Sequence, residues 1–538
     1  MMKKIQMLDV TLRDGAYINH SHFGVPALRG IIQKMQDANI EIIECGWLKN
    51  APYEEGSSYY HVPADLIPYL PAQKKQNETY VVMIDWDRYD LNNLPENNGK
   101  SIDAIRVVFP HGKAKGGAAV AKEIRAKGYQ VYFQIANTLA YSDDDLRELA
   151  TVINDVDPVS VSIVDTFGAM YEEDLARIVA VLDRHVDRQV KLGFHSHNNQ
   201  QLAFALTKHF VDILADSDRE IVLDSSLCGM GRGAGNATTE LVASFLNRKH
   251  HGDYDMNAIM DAIDLYMTYF KENYSWGYST PYMIAGMYCC HVNNIAYLLE
   301  NHRTSAKDMR SIIESLSPED RKKYDYDLLE AKYIENQSRQ VDDEQTLAAL
   351  RRKLQNRKVL LIAPGKTSLS EKENIEDFIA RERPFVIGVN AILSDYVYDM
   401  LFFVNEARYS YAKNAYAETF EKTDKLLLSN IKTSPDENES IVNYNRVIKR
   451  GWPHFDNAVI TALRLLDVLG ISDVFIAGFD GFRTRYNESY ADENLPTLNP
   501  DNKWDELNEE ILSMFRDFRE SVGGRMDICF VTPSYFDR

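Results

Sequence analysis

The chain lacks any uninterrupted apolar run of about 18 residues, the length a membrane-spanning helix needs. Its first residues, Met1-Met2-Lys3-Lys4-Ile5-Gln6, are basic, but Asp9 and Arg13 arrive before a signal-length apolar segment can form, so the expectation is a cytoplasmic protein. Cysteine is scarce. The five thiols (Cys45, Cys228, Cys289, Cys290, Cys529) are odd in number, scattered and without metal-ligand spacing, which predicts reduced side chains and no thiolate metal site. Positive charge is short as well: 60 Lys and Arg face 80 Asp and Glu, a formal net charge of -20. An average surface of that sign repels nucleic acid and anionic membrane, which leaves only a local basic pocket for a small anion. With 45% hydrophobic and 26% charged residues the composition is that of a globular protein, and 538 residues predict two or three domains.

What is present is organised around Leu8-Asp9-Val10-Thr11-Leu12-Arg13-Asp14-Gly15, an apolar strand running into a turn that sets a cation beside a carboxylate. From there to about residue 245 eight short apolar or β-branched runs recur, at 7–10, 40–45, 80–84, 102–108, 130–135, 159–164, 191–194 and 221–223. Helix-compatible segments at 25–38, 118–127, 142–154 and 172–184 alternate with them, and Ser142 is a good N-cap before Asp143-Asp144-Asp145. Eight βα units predict a (β/α)8 TIM barrel over 1–250 in preference to a doubly wound sheet. Asp14, Glu44, Asp85, His111, Asp165, His195 and Asn236 all fall at or beyond the carboxyl ends of these strands, which in a barrel is one mouth.

Residues 251–350 read as a helical extension and linker, with helices at 256–271, 281–299, 306–315 and 318–332. The tyrosines and methionines there make a homo-oligomer the expectation. A third segment, 351–538, opens on Val359-Leu360-Leu361-Ile362 and continues with buried strands at 385–389, 400–404, 425–428 and 474–477, so a Rossmann-like α/β sheet is expected.

His195 and His197 are two apart at a strand end and so point the same way. Two imidazoles with the Asp14 carboxylate, and Asn236 as a further oxygen donor, suit an open divalent-metal site for Mn2+ or Mg2+, with Zn2+ or Fe2+ also compatible. Two glycine-rich stretches offer rival readings. Gly229-x-Gly231-x-x-Ala234 formally fits a dinucleotide fingerprint but follows the last strand of the barrel, with no acid-tipped strand to complete the unit. Pro364-Gly365-Lys366-Thr367 resembles the end of a P-loop, yet Leu360 stands where its first glycine should be.

Three stretches together, Thr11-Leu12-Arg13-Asp14-Gly15, His195-Ser196-His197-Asn198 and Gly231-Arg232-Gly233-Ala234-Gly235-Asn236, resemble the signatures of the metal-dependent barrel aldolases and lyases. That superfamily includes HMG-CoA lyase, isopropylmalate synthase and 4-hydroxy-2-oxovalerate aldolase. The likeness to the last is greatest, through Asp224-Ser225-Ser226-Leu227-Cys228-Gly229-Met230-Gly231 and Val164-Asp165-Thr166-Phe167-Gly168. It implies that Asp14, His195 and His197 bind the metal with Asn236 as an additional ligand, and that Arg13 stabilises an enolate. It also implies that Thr166 contacts a 2-oxo acid substrate, with Glu44 and Asp165 around it orienting the ligands. The aldolases carry a catalytic histidine where this chain has Tyr17. The alternatives are that His20 or His22 acts instead, that a metal-bound water does, or that the substrate differs. Tyr288 resembles a tyrosine that the aldolases supply from their helical region, and Cys228 reads as structural.

The function implied is a metal-dependent aldolase of 4-hydroxy-2-oxo acids, with an acyl-CoA/2-oxo acid Claisen-type synthase as the alternative. A third possibility rests on the other end of the chain. Asp456-Asn457 ahead of a helix at 458–469, with Gly470-Ile471-Ser472-Asp473-Val474 and the residues up to Asp480, loosely resembles sialyltransferase-like proteins. That likeness implies a nucleotide sugar as a further ligand and a glycosyltransferase-like role in surface-polysaccharide synthesis.

Overall fold

Each of the eight apolar runs becomes a strand of one parallel sheet: β1 (Ile5–Asp9), β2 (Ile42–Leu48), β3 (Thr79–Asp85), β4 (Ala104–Phe109), β5 (Gln130–Ile135), β6 (Ser160–Asp165), β7 (Lys191–Ser196) and β8 (Ile221–Ser225). In this computed structural model β1 pairs with β8 on one side and with β2 on the other, which closes the sheet into the expected barrel. Residues 5–302, 304–337, 340–432, 438–455, 457–483, 487–497 and 503–538 are described. They divide into two compact units, Met1–Val292 with Arg321–Lys323, and Asn293–Asp320 with Tyr324–Arg538. The helical stretch expected over 251–350 is shared between the two.

Side chains alternate across each strand, and the register turns that alternation into layers. Leu8, Val10, Ile42, Val81, Ala104, Tyr132 and Val222 form an apolar cluster inside the barrel. Met7, Ile43, Val82, Ile105, Phe133, Ile163, Phe194 and Leu223 belong to a separate cluster shared with the surrounding helices. Two residues further along the inward set come Glu44, Arg106 and Asp224, all but fully buried. Beyond them, at the carboxyl ends, stand Asp85, Val108, Gln134, Val164 and His195. Strand parity alone therefore puts a charged layer beneath the mouth.

One capping feature matches the sequence. Ser142 Oγ accepts the Asp145 N–H (3.2 Å) and Asp145 returns the bond to Ser142 N–H (2.9 Å), a capping box for helix Asp143–Val156. At the end of β1, Asp9 accepts from the Thr11 N–H (3.0 Å) and the Thr239 hydroxyl (2.7 Å), and burial pushes its carboxyl up to about 6. Because this value lies above the unfolded one, the stability Asp9 contributes is full below about pH 4 and is lost as pH rises through about 6, a change of about 3 kcal/mol. Asp9→Asn keeps an acceptor for Thr11 without the charge. In chemical denaturation the variant is expected to gain on the wild type at about pH 7.5 and to match it at about pH 4.

The second unit holds a seven-stranded all-parallel sheet of β9 (Val359–Ile362), β10 (Phe385–Val389), β11 (Met400–Phe403), β12 (Asp424–Leu428), β13 (Glu439–Val442), β14 (Asp473–Ala477) and β15 (Asp527–Phe530). Its order is β13-β12-β11-β10-β9-β14-β15. Helices Lys372–Glu382, Glu406–Ala415 and Ala417–Lys422 cover one face through Ile375, Phe378, Tyr409 and Phe420. Helices Glu344–Leu354 and Ala458–Leu469 meet the other face, where Leu354 and Leu465 pack near Leu361 and Phe402. Among the described residues no helix is long and apolar enough to cross a membrane.

Candidate metal centre

Arg13 and Asp14 lie in a single helical turn, Thr11–Asp14, directly after β1, and both are buried. His195 is the last residue but one of β7 and His197 follows the strand, held by a bridge to Asn236 in the glycine-rich loop. That loop doubles back on itself. Gly235 has φ +82° and a Cβ there would lie 1.9 Å from the Gly229 carbonyl oxygen, so its glycines serve chain reversal rather than a dinucleotide. Potential ligand atoms of Asp14, His195 and His197 all fall within 4.8 Å of one another.

Each donor is oriented from behind. His195 Nδ1 lies 3.0 Å from Asp224 Oδ2, and His197 Nδ1 donates to the Asp165 carbonyl oxygen at 2.9 Å, which leaves both Nε2 atoms for a ligand. His197 Nε2 is 3.7 Å from Asp14 Oδ2. Burial alone would raise the Asp14 carboxyl. Arg13, then His197 and His195, outweigh it and hold the group well below the usual carboxylate range, so it stays an anion. Burial likewise pushes His197 down to about 4, partly opposed by Asp14, so its imidazole is neutral and its lone pair free near neutral pH.

Two observations show that a divalent cation fits. Asn236 donates its Nδ2 to Asp14 Oδ2 at 2.8 Å while its Oδ1 is buried without a hydrogen-bond partner, an unspent oxygen donor on a side chain already joined to the carboxylate. Gly231 keeps that space open: a Cβ there would stand 2.4 Å from Asp14 Oδ2 and 2.3 Å from Asn236 Nδ2. Two imidazoles, one carboxylate and an amide oxygen form an open nitrogen and oxygen set suited to a hard or borderline divalent ion.

Beneath the donors runs a buried charge chain. Arg13 Nε donates to Glu44 Oε2 (2.8 Å), Arg106 Nη1 donates to the same oxygen (2.7 Å), and Arg106 Nη2 donates to Asp224 Oδ2, the atom that His195 meets. Arg13 also pairs with Asp14, and its burial is outweighed by Glu44 and Asp14, which push its pKa further up. Arg106 is fully buried and was not singled out in the sequence. A lone arginine in an otherwise apolar strand, Ile105-Arg106-Val107, was the available signal.

Above the donors lies a cavity of about 760 Å³. Of the residues anticipated from the sequence, Arg13, Asp14, Tyr17, Asp85, Thr166, His195 and His197 line it. Glu44 and Asp165 are not among its lining. Glu44 instead fixes Arg13, and Asp165 accepts the Ala169 and Met170 N–H groups while its carbonyl fixes His197. His20 and His22 are exposed on the following loop, His22 bridging Ser57, and neither lines the cavity. Tyr288 is also outside the lining; the Arg321 guanidinium lies 5.0 Å from its ring. His111 pairs with Asp145 at the surface.

Arg232 and His291, which sequence reasoning missed, do reach the cavity. The Arg232 guanidinium sits 3.7 Å over the Tyr17 ring and its Nη1 is 3.4 Å from His291 Nε2. Burial, with Arg232 and His197 beside it, pushes His291 down to about 3, so it is a neutral imidazole. Burial pushes the Tyr17 phenol up to about 12, opposed by Arg232 and Arg13, so it keeps its proton near neutrality. Burial also raises the Cys228 thiol, and its carbonyl accepts the Trp276 indole N–H (3.0 Å), in keeping with a structural residue.

The barrel has known counterparts. Residues 113–266 match the HMGL-like family. The chain is 29% identical over 259 residues to an oxaloacetate decarboxylase of Mycobacterium tuberculosis, a stretch covering 48% of this chain and 74% of that protein. It is 27% identical over 270 residues to a 4-hydroxy-2-oxovalerate aldolase of Chloroflexus aurantiacus, covering 49% and 75%. Hydroxymethylglutaryl-CoA lyase from Pseudomonas aeruginosa is similar in structure at 19% identity and a TM-score of 0.40, over 49% of this chain and 91% of that one. The matched stretch carries His195, His197 and the glycine loop, and with Arg13 and Asp14 beside them the barrel unit of this chain is similar to the HMGL-like family.

Proposed function

We propose that the barrel unit is a divalent-metal-dependent carbon–carbon lyase that cleaves a 4-hydroxy-2-oxo acid to a 2-oxo acid and an aldehyde. The observation that carries this reading is the convergence of Asp14, His195 and His197 with Arg13 against one cavity. Mn2+ or Mg2+ bound by Asp14, His195 and His197, with Asn236, would polarise the carbonyl and carboxylate of a 2-oxo acid. Arg13, with Nε committed to Glu44 and Nη1 to Asp14, has its Nη2 group to donate to the carbonyl oxygen as enolate charge develops. Cleavage breaks the C3–C4 bond and leaves the electron pair on the enolate, while the C4 hydroxyl proton passes to a base as the aldehyde forms. His291 is the imidazole that lines the cavity besides His195 and His197, and from that position it is the base in this proposal.

A second reading, decarboxylation of a 2-oxo diacid, is favoured by Tyr17 and Arg232. Loss of CO2 requires no acceptor for a hydroxyl proton, so a phenol at the position of the aldolase histidine is no obstacle. Arg232 would offer a counter-charge to a second carboxylate. Pyruvate production from 4-hydroxy-2-oxovalerate and from oxaloacetate, with aldehyde and CO2 measured alongside, separates the two. Aldehyde in amounts equal to pyruvate supports the aldolase, CO2 release alone supports the decarboxylase, and turnover of neither by metal-loaded protein overturns the lyase reading.

A further inference from the structure

The second unit contains a cavity of about 840 Å³ that the lyase reading leaves without a role. It opens where the sheet order reverses: β10 lies on one side of β9 and β14 on the other. Chain leaves the carboxyl ends of β9 (Ala363-Pro364-Gly365), β10 (Val389-Asn390), β11 (Val404-Asn405) and β14 (Gly478 onward) around its rim. In open parallel sheets the diverging connections at such a point leave a crevice where small molecules bind.

The lining indicates what kind of molecule fits. Among the described lining residues the charged side chains are Arg408 and Asp480. Arg408 is only 5% exposed and its guanidinium lies 4.6 Å from the Tyr490 ring, so a cation is held at a buried wall. On the β14 side, Asp480 accepts both the N–H (2.8 Å) and the hydroxyl of Thr367, and a Cβ on Gly365 would lie 2.4 Å from the Gly478 carbonyl oxygen. The Thr367 donors are therefore spent on Asp480 and the Gly365 N–H on the Gly478 carbonyl oxygen (2.8 Å), which argues against this turn cradling phosphate as a P-loop does. The anion-favouring side is the opposite one. There the twelve-residue helix Ala458–Leu469 begins, with Asn457, Ala458 and Val459 lining the cavity; Asn457 Oδ1 accepts the Val459 (3.1 Å) and Ile460 (3.2 Å) N–H groups, so what the helix offers an anion is the positive end of its dipole. Phe479, Phe482, Tyr490 and Phe536 supply flat apolar surface, and Asn390 and Asn405 add neutral hydrogen-bonding groups.

We propose that the second unit binds a nucleotide in this cavity, its phosphate between Arg408 and the start of helix Ala458–Leu469 and its base against the aromatic wall. A bare sugar phosphate shares the anion but has no ring for that wall, and a nucleoside has the ring without the charge. The residue preceding the helix, Asp456, lies outside the described residues and plays no part in the argument.

The test is calorimetric titration of the full-length protein with UDP, CMP and ADP, and with uridine, glucose 1-phosphate and inorganic phosphate as controls. At least one nucleotide is expected to bind with a Kd of about 100 μM or tighter, and more tightly than every control. Arg408→Gln is expected to weaken that binding by about tenfold or more, as loss of a charge-assisted contact should. Asn457→Asp keeps a good N-cap while adding a negative charge where the phosphate would sit, so it tests the same placement in a helix that remains capped. It too should weaken nucleotide binding by about tenfold or more, with the melting temperature unchanged. Three results would overturn the proposal: no saturable binding of any of the three nucleotides, a control that binds as tightly as the best of them, or nucleotide binding that both folded variants retain.

Discussion

Arg106→Met is expected to cost the barrel unit about 3–5 kcal/mol of stability, because it strips two fully buried carboxylates, Glu44 and Asp224, of the cation they share. The methionine fills much of the volume, so the loss is electrostatic rather than a cavity effect. The change should also reach the metal site, since Asp224 orients the His195 ring through Nδ1 and partners of this kind commonly contribute about 10–100-fold in metal affinity. Chemical denaturation checks the first effect and metal titration the second. Adding Glu44→Gln and Asp224→Asn to Arg106→Met should recover a large part of the stability without restoring metal affinity. If the single variant is as stable as the wild type, the charged layer is not what holds this part of the barrel.

Arg13→Gln is expected to lower kcat by about 10²–10³-fold, the usual effect of removing one donor aimed at a developing oxyanion, while the purified variant still binds metal at neutral pH. The pH dependence supplies a second sign. Arg13 is the principal group opposing the effect of burial on Asp14, so without it the Asp14 carboxyl titrates at higher pH. Metal retention in the variant should therefore fail at a higher pH than in the wild type as the solution is acidified. Arg13→Lys should not rescue kcat, because one ammonium cannot reproduce the fork that engages Glu44, Asp14 and a ligand oxygen together. A variant whose kcat falls less than about threefold would place the charge-stabilising group elsewhere.

Much of the barrel was legible because strand periodicity is a local property. The inward set at β7, Gly193, His195 and His197, follows from parity alone, and parity is also why the two imidazoles meet the carboxylate brought by β1. What escaped notice depends on non-local geometry. Arg106 looked like one polar residue in an apolar strand, and only closure of the sheet shows that Glu44 and Asp224 arrive from neighbouring parts of the ring to meet it. The substitution of His291 for Tyr288 in the cavity has a local cause invisible to hydrophobic pattern. The helix expected over 281–299 stops at Met287, Cys289 takes the left-handed φ of +48°, and the chain resumes helix at Val292. That break turns Tyr288 toward Arg321 and brings His291 to Arg232. Likewise Asn390, at φ +59°, and the turn at Gly365 became interpretable in the second unit only once the order of its strands was known.

The account depends most on Asp14, His195 and His197 holding one divalent ion, and elemental analysis tests this directly. Wild type, Asp14→Ala and His195→Ala would be saturated with Mn2+, desalted together and measured by mass spectrometry, with circular dichroism confirming that each is folded. About one equivalent in the wild type and under about a tenth in each variant is the predicted result for a three-residue donor set. Equal metal content in all three proteins would contradict it.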